Sequence, residues 1–274
     1  MVDRLEALLN RFSVHASLFH SGALCGINDL AVDEGCGQLH LLKAGSIEIS
    51  NRGQKPLTVS VPSLLLYPRA LPRRFVTDAE RGADLVCADL HFEGGLSNPV
   101  AASLPEFVCL PLEAVEGAEP ILALLFEEAF EQRCGRQELI NRLFEVVLIQ
   151  VLRHMMETKQ VVSGMLAGMA HPRLRIALVA MHEDPVRDWS LQSLADTSGM
   201  SRSVFAAAFR EHVGCTAGAY LQGWRIRLAQ RALRQGRAIK MIAVEVGYGS
   251  EAALSRAFKA QCGMTPRAWR LQRA

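Results

Sequence analysis

The chain has 274 residues, half of them apolar, which is enough for two domains with cores of their own. Its net charge of +2 hides a division: 16 Lys and Arg against 7 Asp and Glu from position 172 onward, and 14 against 21 before it. A basic half beside an acidic half points to one domain that meets a polyanion and one that avoids it. The seven cysteines form no C-x-x-C pair, which argues against a disulfide scaffold and for reduced thiols in the cytoplasm.

Residues 1–19 carry Leu5, Leu8, Leu9 and Phe12 at helical spacing, and the spacing predicts one amphipathic helix rather than an apolar leader. From His40 the period changes to two. The segment LHLLKAGSIEIS alternates, Asn51-Arg52-Gly53 makes a turn, and Leu57, Val59 and Val61 alternate again. Residues 64–67, 74–76 and 85–92 continue as short strands, as a small antiparallel barrel or sandwich requires.

Residues 119–131 and 137–156 read as a helical hairpin broken at Cys134-Gly135. The second helix is apolar nearly all round from Leu139 to Met155, so burial on more than one side is expected. The barrel accounts for one side, and either a second subunit or the chain itself for the other. Its most apolar run, residues 143–152, is too short to span a membrane. The expected organisation is therefore α+β: a barrel over 1–118, a helical hairpin over 119–157 that serves a possible homodimer, a linker over 158–171 loosened by Gly164 and Gly168, and an all-α domain over 172–274.

That last domain holds a motif twice. In the second copy Ile239, Ile242, Ala243 and Val246 mark one helix, Gly247-Tyr248-Gly249 a sharp turn, and Leu254, Ala257 and Phe258 the buried stripe of the next helix. Ser250 reads as that helix's N-cap, Gly263 as its end, and Thr265-Pro266 as a new start. The first copy runs over 190–222 in the same order, with Phe205 matching Leu254, Phe209 matching Phe258, Gly214 matching Gly263, Thr216 matching Thr265 and Tyr220 matching Trp269. An amphipathic segment over 220–233 joins the two. Two helix-turn-helix units on one rigid helix can offer two reading helices to successive major grooves of double-stranded DNA.

The C-terminal hundred residues resemble the DNA-binding domain of AraC/XylS-type bacterial transcription regulators. The residues that carry the likeness are Leu194, Ala195, Gly199, Ser201, Phe205, Phe209, Gly214, Tyr220 and Leu221, then Ile242, Ala243, Gly247, Tyr248, Ser250, Arg256, Phe258, Gly263, Thr265, Pro266 and Arg270. Upstream, HLLKAGSIEI followed by PSLLLYPRALPRRF resembles the two strand motifs of the cupin-like sensor domain on one branch of that family. The resemblance implies a sequence-specific regulator that binds promoter DNA, works with RNA polymerase, and answers to a small effector or, as in the branch that includes reactive-chlorine sensors, an oxidant.

The expected DNA-reading residues are Arg202, Ser203, Ala206, Ala207 and Arg210 on the first reading helix, and Glu251, Ala252, Ser255 and Arg256 on the second. Arg256 suits a bidentate contact to guanine and Glu251 accepts from cytosine N4, whereas alanines offer at most a thymine-methyl contact. Arg225, Arg227, Arg231, Arg234 and Arg237 are candidates for phosphate. By resemblance, Cys25 and Cys87 are the candidate sensor thiols. No metal or other cofactor is expected: a metal cupin needs an H-x-H pair, here absent, and Arg73-Arg74 stands where its further histidine would be. Arg69, Arg73 and Arg74 together are a candidate anion-binding group at the barrel mouth. The competing readings are a metal-dependent cupin enzyme with a DNA-binding tail and a DNA binder that answers to no signal.

Overall fold

A computed structural model describes residues 3–30, 35–51, 53, 55–131, 133–161 and 163–273. The chain divides into two compact units, Ser13–Gln160, and Met1–Phe12 together with Val161–Ala274.

The first unit is built on two antiparallel sheets. Among the described residues nine strands make them: β1 (Val14–Leu24), β2 (Ile27–Leu30), β3 (Gly37–Ala44), β4 (Ile47–Asn51), β5 (Leu57–Val59), β6 (Ser63–Tyr67), β7 (Arg73–Thr77), β8 (Ala83–Phe92) and β9 (Val108–Pro111). One sheet has the order β1-β8-β3-β6-β9 and the other β2-β7-β4-β5. In β4 and β7 alternate residues are buried, so Ile47 and Ile49 face inward with Phe75, while Glu48 and Arg74 face water. The inward set, Leu42, Ile47, Ile49, Val59, Leu65, Tyr67, Phe75, Ala83, Leu85 and Cys87, forms one apolar cluster. The period-two reading holds in β4 and β7 but not in β3, where His40, Leu41 and Leu42 are all buried, nor in β6, which is buried throughout; Arg52, in the expected turn, lies outside the described residues.

Two long helices follow the sheets, after the short α2 (Pro99–Ser103): α3 (Glu119–Phe130) and α4 (Arg136–Glu157). The hairpin falls within a residue of its expected limits. Polar residues of α4 close the edge of β1: Asn141 Oδ1 accepts from the Leu18 amide at 2.8 Å, Glu145 Oε1 from the Ala16 amide at 3.3 Å, and Gln137 Nε2 donates to the Leu18 carbonyl at 3.0 Å. An uncovered edge strand would offer those groups to another chain. Contrary to the all-round apolar reading, α4 is amphipathic. Ile140, Leu143, Phe144, Val147, Leu148, Val151, Leu152, Met155 and Met156 are buried, and Leu139 and Val146 remain exposed.

The second unit is helical: α1 (Glu6–Leu9), α5 (Met165–Ala170), α6 (Leu174–Glu183), α7 (Leu191–Thr197), α8 (Arg202–Val213), α9 (Ala217–Arg234), α10 (Ile239–Glu245), α11 (Glu251–Cys262) and α12 (Pro266–Arg273). Three expectations change here. The single helix over 1–19 is one turn long, because from Val14 the chain pairs with β8 over ten register positions and extended pairing outweighs local helical spacing. Residues 3–12 group with the helices and not with the barrel: Leu5, Leu8 and Phe12 are buried, and the Phe12 ring meets Trp224 edge-on at 5.2 Å. The segment expected as a loose linker holds the buried helix α5. Gly168 serves close approach there, since a Cβ would lie 2.6 Å from Leu178 Cδ1 and 2.7 Å from Val213 Cγ2.

Candidate nucleic-acid interface and barrel interior

The repeat seen in the sequence is a repeat in space. α8 and α11 are each 12 residues long. Each starts on a serine whose hydroxyl accepts the backbone amide three residues on: Ser201 from Val204 at 3.4 Å and Ser250 from Ala253 at 3.1 Å. Each ends on a left-handed glycine, Gly214 at φ +83° and Gly263 at φ +75°. Thr216 and Thr265 then cap the following helices. Each reading helix is held by the same aromatic joint, Phe209 against Tyr220 at 5.8 Å and 73°, and Phe258 against Trp269 at 5.9 Å and 77°. The connecting helix α9 supplies Ile226, Ala229, Ala232 and Leu233 to the core that seats α10 and α11.

With those stripes buried, the outer faces are free. Arg202, Ser203, Ala207 and Arg210 on α8 are exposed, as are Glu251, Ala252 and Arg256 on α11, while Ala206 and Ser255 are half-buried. Among the described residues Arg202, Arg210 and Arg256 make no side-chain hydrogen bond or ion pair, so their guanidinium groups are uncommitted. Sequence reasoning missed Val204, 54% exposed on the same helix as the two alanines. Its signal was its place in the first turn of α8, clear of the Phe205 and Phe209 stripe.

The phosphate candidates divide. Arg225 is a structural clamp, donating to the carbonyls of Pro185 at 2.7 Å and Arg187 at 3.0 Å. Arg237 pairs with Glu245, and Arg234 lies over the Trp269 ring at 5.6 Å. Arg227 and Arg231 are half-buried on α9.

In the barrel, the expected group of three arginines is split. Arg74 is exposed and holds Asp29 through two bonds of 2.7 and 3.1 Å, and Arg69 donates to the Leu104 carbonyl at 3.0 Å. Arg73 points inward and is 5% exposed. It donates to His40 Nε2 at 2.9 Å and to the Leu71 carbonyl at 3.0 Å, and its guanidinium carbon lies 4.0 Å from the centre of the Tyr67 ring. Tyr67 in turn donates to Asn51 Oδ1 at 3.1 Å. Burial lowers the Arg73 pKa to about 10, so the group stays charged at neutral pH. Burial, and then the Arg73 charge, hold His40 well below the usual histidine range, so it stays neutral. Two buried donors there, Arg73 Nε and His40 Nδ1, have no hydrogen-bond partner.

That donor set does not fit a metal. His40 spends its Nε2 on a guanidinium, and among the described residues no three His, Cys, Asp or Glu side chains converge as ligands.

The two candidate sensor thiols differ sharply. Cys87 faces the barrel interior at 2% exposure, opposite His40 in β3, and burial pushes its thiol pKa up. Cys25 is exposed at the end of β1, its sulfur 2.7 Å from where a Cβ on Gly82 would lie. Cys87 stands five positions further along the extended chain, roughly 16 Å away at about 3.3 Å per residue. A bridge needs α-carbons about 4.4–6.8 Å apart, so the two cannot join directly. Cys134 is exposed, but Arg133 beside it is committed to Glu127 at 2.7 Å and Glu128 at 3.1 Å, and Arg136 to the Glu128 carbonyl at 2.8 Å.

Residues 3–157 match the family described as Cupin, and residues 194–272 match a Helix-turn-helix domain. A Streptomyces lividans protein described as an AraC-like transcription regulator is 41% identical over 167 residues, 60% of this chain and 55% of that protein. The chain thus spans about half the length of the Streptomyces relatives it matches. The RCS-specific HTH-type transcriptional activator RclR of Escherichia coli strain K12 is 26% identical over 253 residues, 89% of each chain. Among solved structures, the DNA-binding domain of AdpA in complex with a target DNA is 27% identical, over 37% of this chain and 93% of that one, at a TM-score of 0.36.

Proposed function

We propose that this chain, which belongs to the Cupin family by its residues 3–157 and matches a Helix-turn-helix domain over 194–272, is a cytoplasmic AraC/XylS-type regulator that binds promoter DNA in a sequence-specific way and acts through RNA polymerase, without catalysing a reaction. The observation that carries the reading is the pair of helices of equal length and like caps whose outer arginines are uncommitted among the described residues. The test is binding of the full chain to a duplex from its target promoter against a scrambled duplex of equal length. Affinities within a factor of about 10 of each other would sink the sequence-specific reading, since specific sites are typically 10³–10⁷ tighter.

The barrel is the signal-receiving part in this reading. Arg73 supports a small anionic effector: it is buried and charged, and no carboxylate stands within ion-pair distance among the described residues. A buried charge without a counter-ion is costly, and a bound carboxylate would supply one. Benzoate and octanoate should raise the thermal midpoint of the full chain, with sodium chloride at equal ionic strength as the control. No rise with either would remove Arg73 as an effector contact.

An oxidant remains the alternative signal, suggested by the relative's name and the seven reduced cysteines. Here Cys25 and Cys87 act as separate thiols, with Cys25 the more accessible. If either of these thiols carries the signal, a reporter on the target promoter exposed to hypochlorous acid loses its response in Cys25→Ser or Cys87→Ser, and an unchanged response in both removes them. A homodimer through α3 and α4 is supported by the exposed Leu124, Leu139 and Val146 on that hairpin.

A further inference from the structure

Cys36 immediately precedes β3, and His91 is the next-to-last residue of β8, two strands that run side by side. The pairing of Gly37 with Leu90 brings their neighbours together, and Cys36 Sγ lies 3.2 Å from His91 Nδ1. Cys36 is half-buried and reduced, and His91 is exposed, so both solvent and small reagents reach the pair. In sequence these residues are 55 apart, and nothing local marks either of them.

No other cysteine has this environment among the described residues. Burial pushes up the thiol pKa of Cys87, Cys109, Cys215 and Cys262. Cys25 and Cys134 are exposed and have no imidazole beside them. Behind His91, on the same face of the sheet, stands its register partner His15, whose Nδ1 lies 3.5 Å from Glu145 Oε1.

We propose that Cys36 and His91 form a nucleophilic thiol–imidazole pair, and that Cys36 is the chain's primary site of modification by soft electrophiles and by two-electron oxidants such as hypochlorous acid. With an alkyl halide, the sulfur forms a bond to carbon, the halide leaves with its electron pair, and His91 Nδ1 takes the thiol proton. With hypochlorous acid, the sulfur bonds to chlorine as the Cl–O bond breaks, and the departing hydroxide takes the thiol proton to become water. Water then replaces chloride at sulfur, giving a sulfenic acid, chloride and a proton. Sulfur is oxidised by two electrons, and the chlorine is reduced to chloride.

The residue after Cys36, Gly37, has no room inward: a Cβ there would lie 2.7 Å from the Tyr67 carbonyl oxygen and 2.9 Å from Phe92 Cε2 and from the Pro68 carbonyl oxygen. An adduct on Cys36 therefore cannot be absorbed by sliding the chain toward the core, and it loads the first pairing of β3. That strand carries His40, the hydrogen-bond partner of Arg73.

The experiment is a timed reaction of the full chain with substoichiometric iodoacetamide, read at each of the seven cysteines by peptide mass spectrometry. Cys36 should label at least about fivefold faster than Cys25 or Cys134, because an imidazole nitrogen within hydrogen-bond reach can take the thiol proton as the sulfur attacks. His91→Gln should remove that advantage and leave the Cys25 and Cys134 rates, which serve as internal controls for folding, as they were. In a parallel reaction with one equivalent of hypochlorous acid, dimedone should trap the sulfenic acid first at Cys36. Equal rates at the three residues, an unchanged Cys36 rate in His91→Gln, or first trapping at Cys25 or Cys134 would each overturn the proposal. DNA binding enters none of these readouts, so the regulator reading stands or falls separately.

Discussion

Arg256 sits exposed on the second reading helix with its guanidinium uncommitted, so it is available for a bidentate contact to one guanine. Arg256→Ala is expected to cost about 1–3 kcal/mol at a selected site and to relax preference at one base pair, measured by competition fluorescence anisotropy. An equal loss on random duplex would make it a phosphate contact instead. Arg73 makes the opposite kind of prediction. Because its buried charge lacks a carboxylate, Arg73→Met should leave the barrel's thermal midpoint unchanged or raised in the absence of any ligand, and should abolish the rise that benzoate or octanoate brings. A lower midpoint would show that the bonds to His40 and Leu71 already compensate the charge. The two residues differed in how far sequence could read them. Arg256 follows from its spacing beyond a serine cap, a local fact, whereas the inward turn of Arg73 away from Arg74 depends on the register of β7 against β4.

At the scale of elements, the turn between α10 and α11 rests on Gly247. Its φ is +82°, and an added Cβ would lie 2.9 Å from Val186 Cα and 3.0 Å from Arg225 Cζ. Gly247→Ala should destabilise the C-terminal unit by about 1–3 kcal/mol, read as a shift in the denaturant midpoint of tryptophan fluorescence. All three tryptophans, Trp189, Trp224 and Trp269, belong to that unit, so the signal is specific to it. Helix limits were legible where the stop and start signals are local, at Ser250, Gly263, Thr265 and the break at Gly135. The strand β1 was not, because Val14 to Leu24 is ordered by pairing with residues 83–92, and periodicity in a short window carries no trace of a partner that distant. The helix α5 was hidden for a similar reason. Its two glycines look like a linker until Leu178 and Val213 are seen to press on Gly168.

For the whole molecule, the division of charge was legible from composition alone, and it coincides with the helical unit that carries the duplicated motif. DNA affinity should therefore fall steeply as salt rises, by about tenfold per tenfold rise in salt for each phosphate neutralised. Stability should also depend on pH in a defined direction. His182 is fully buried, hydrogen-bonded to the Tyr220 hydroxyl at 2.6 Å and stacked on Trp224, and burial pushes its pKa down to about 3. Unfolding restores it to about 6.5, so the unfolded state binds the proton more tightly below that pH. Stability is fully present above about pH 6.5 and is lost as the pH falls toward 3; by pH 5 the loss is about 2 kcal/mol. His182→Gln should flatten that dependence in tryptophan-detected unfolding.

The central claim, that two reading helices on one connecting helix recognise one DNA site, is tested most directly by selection of the full chain against a library of random duplexes. The account predicts one enriched motif with two half-sites about 10–10.5 base pairs apart, centre to centre. The half facing α11 should carry the sharper preference, because Arg256 and Glu251 have the chemistry to pair with base edges, whereas Ala206, Ala207 and Val204 can offer only apolar contacts. Enrichment of no sequence, or of a single half-site whose preference survives removal of Arg256, would contradict it.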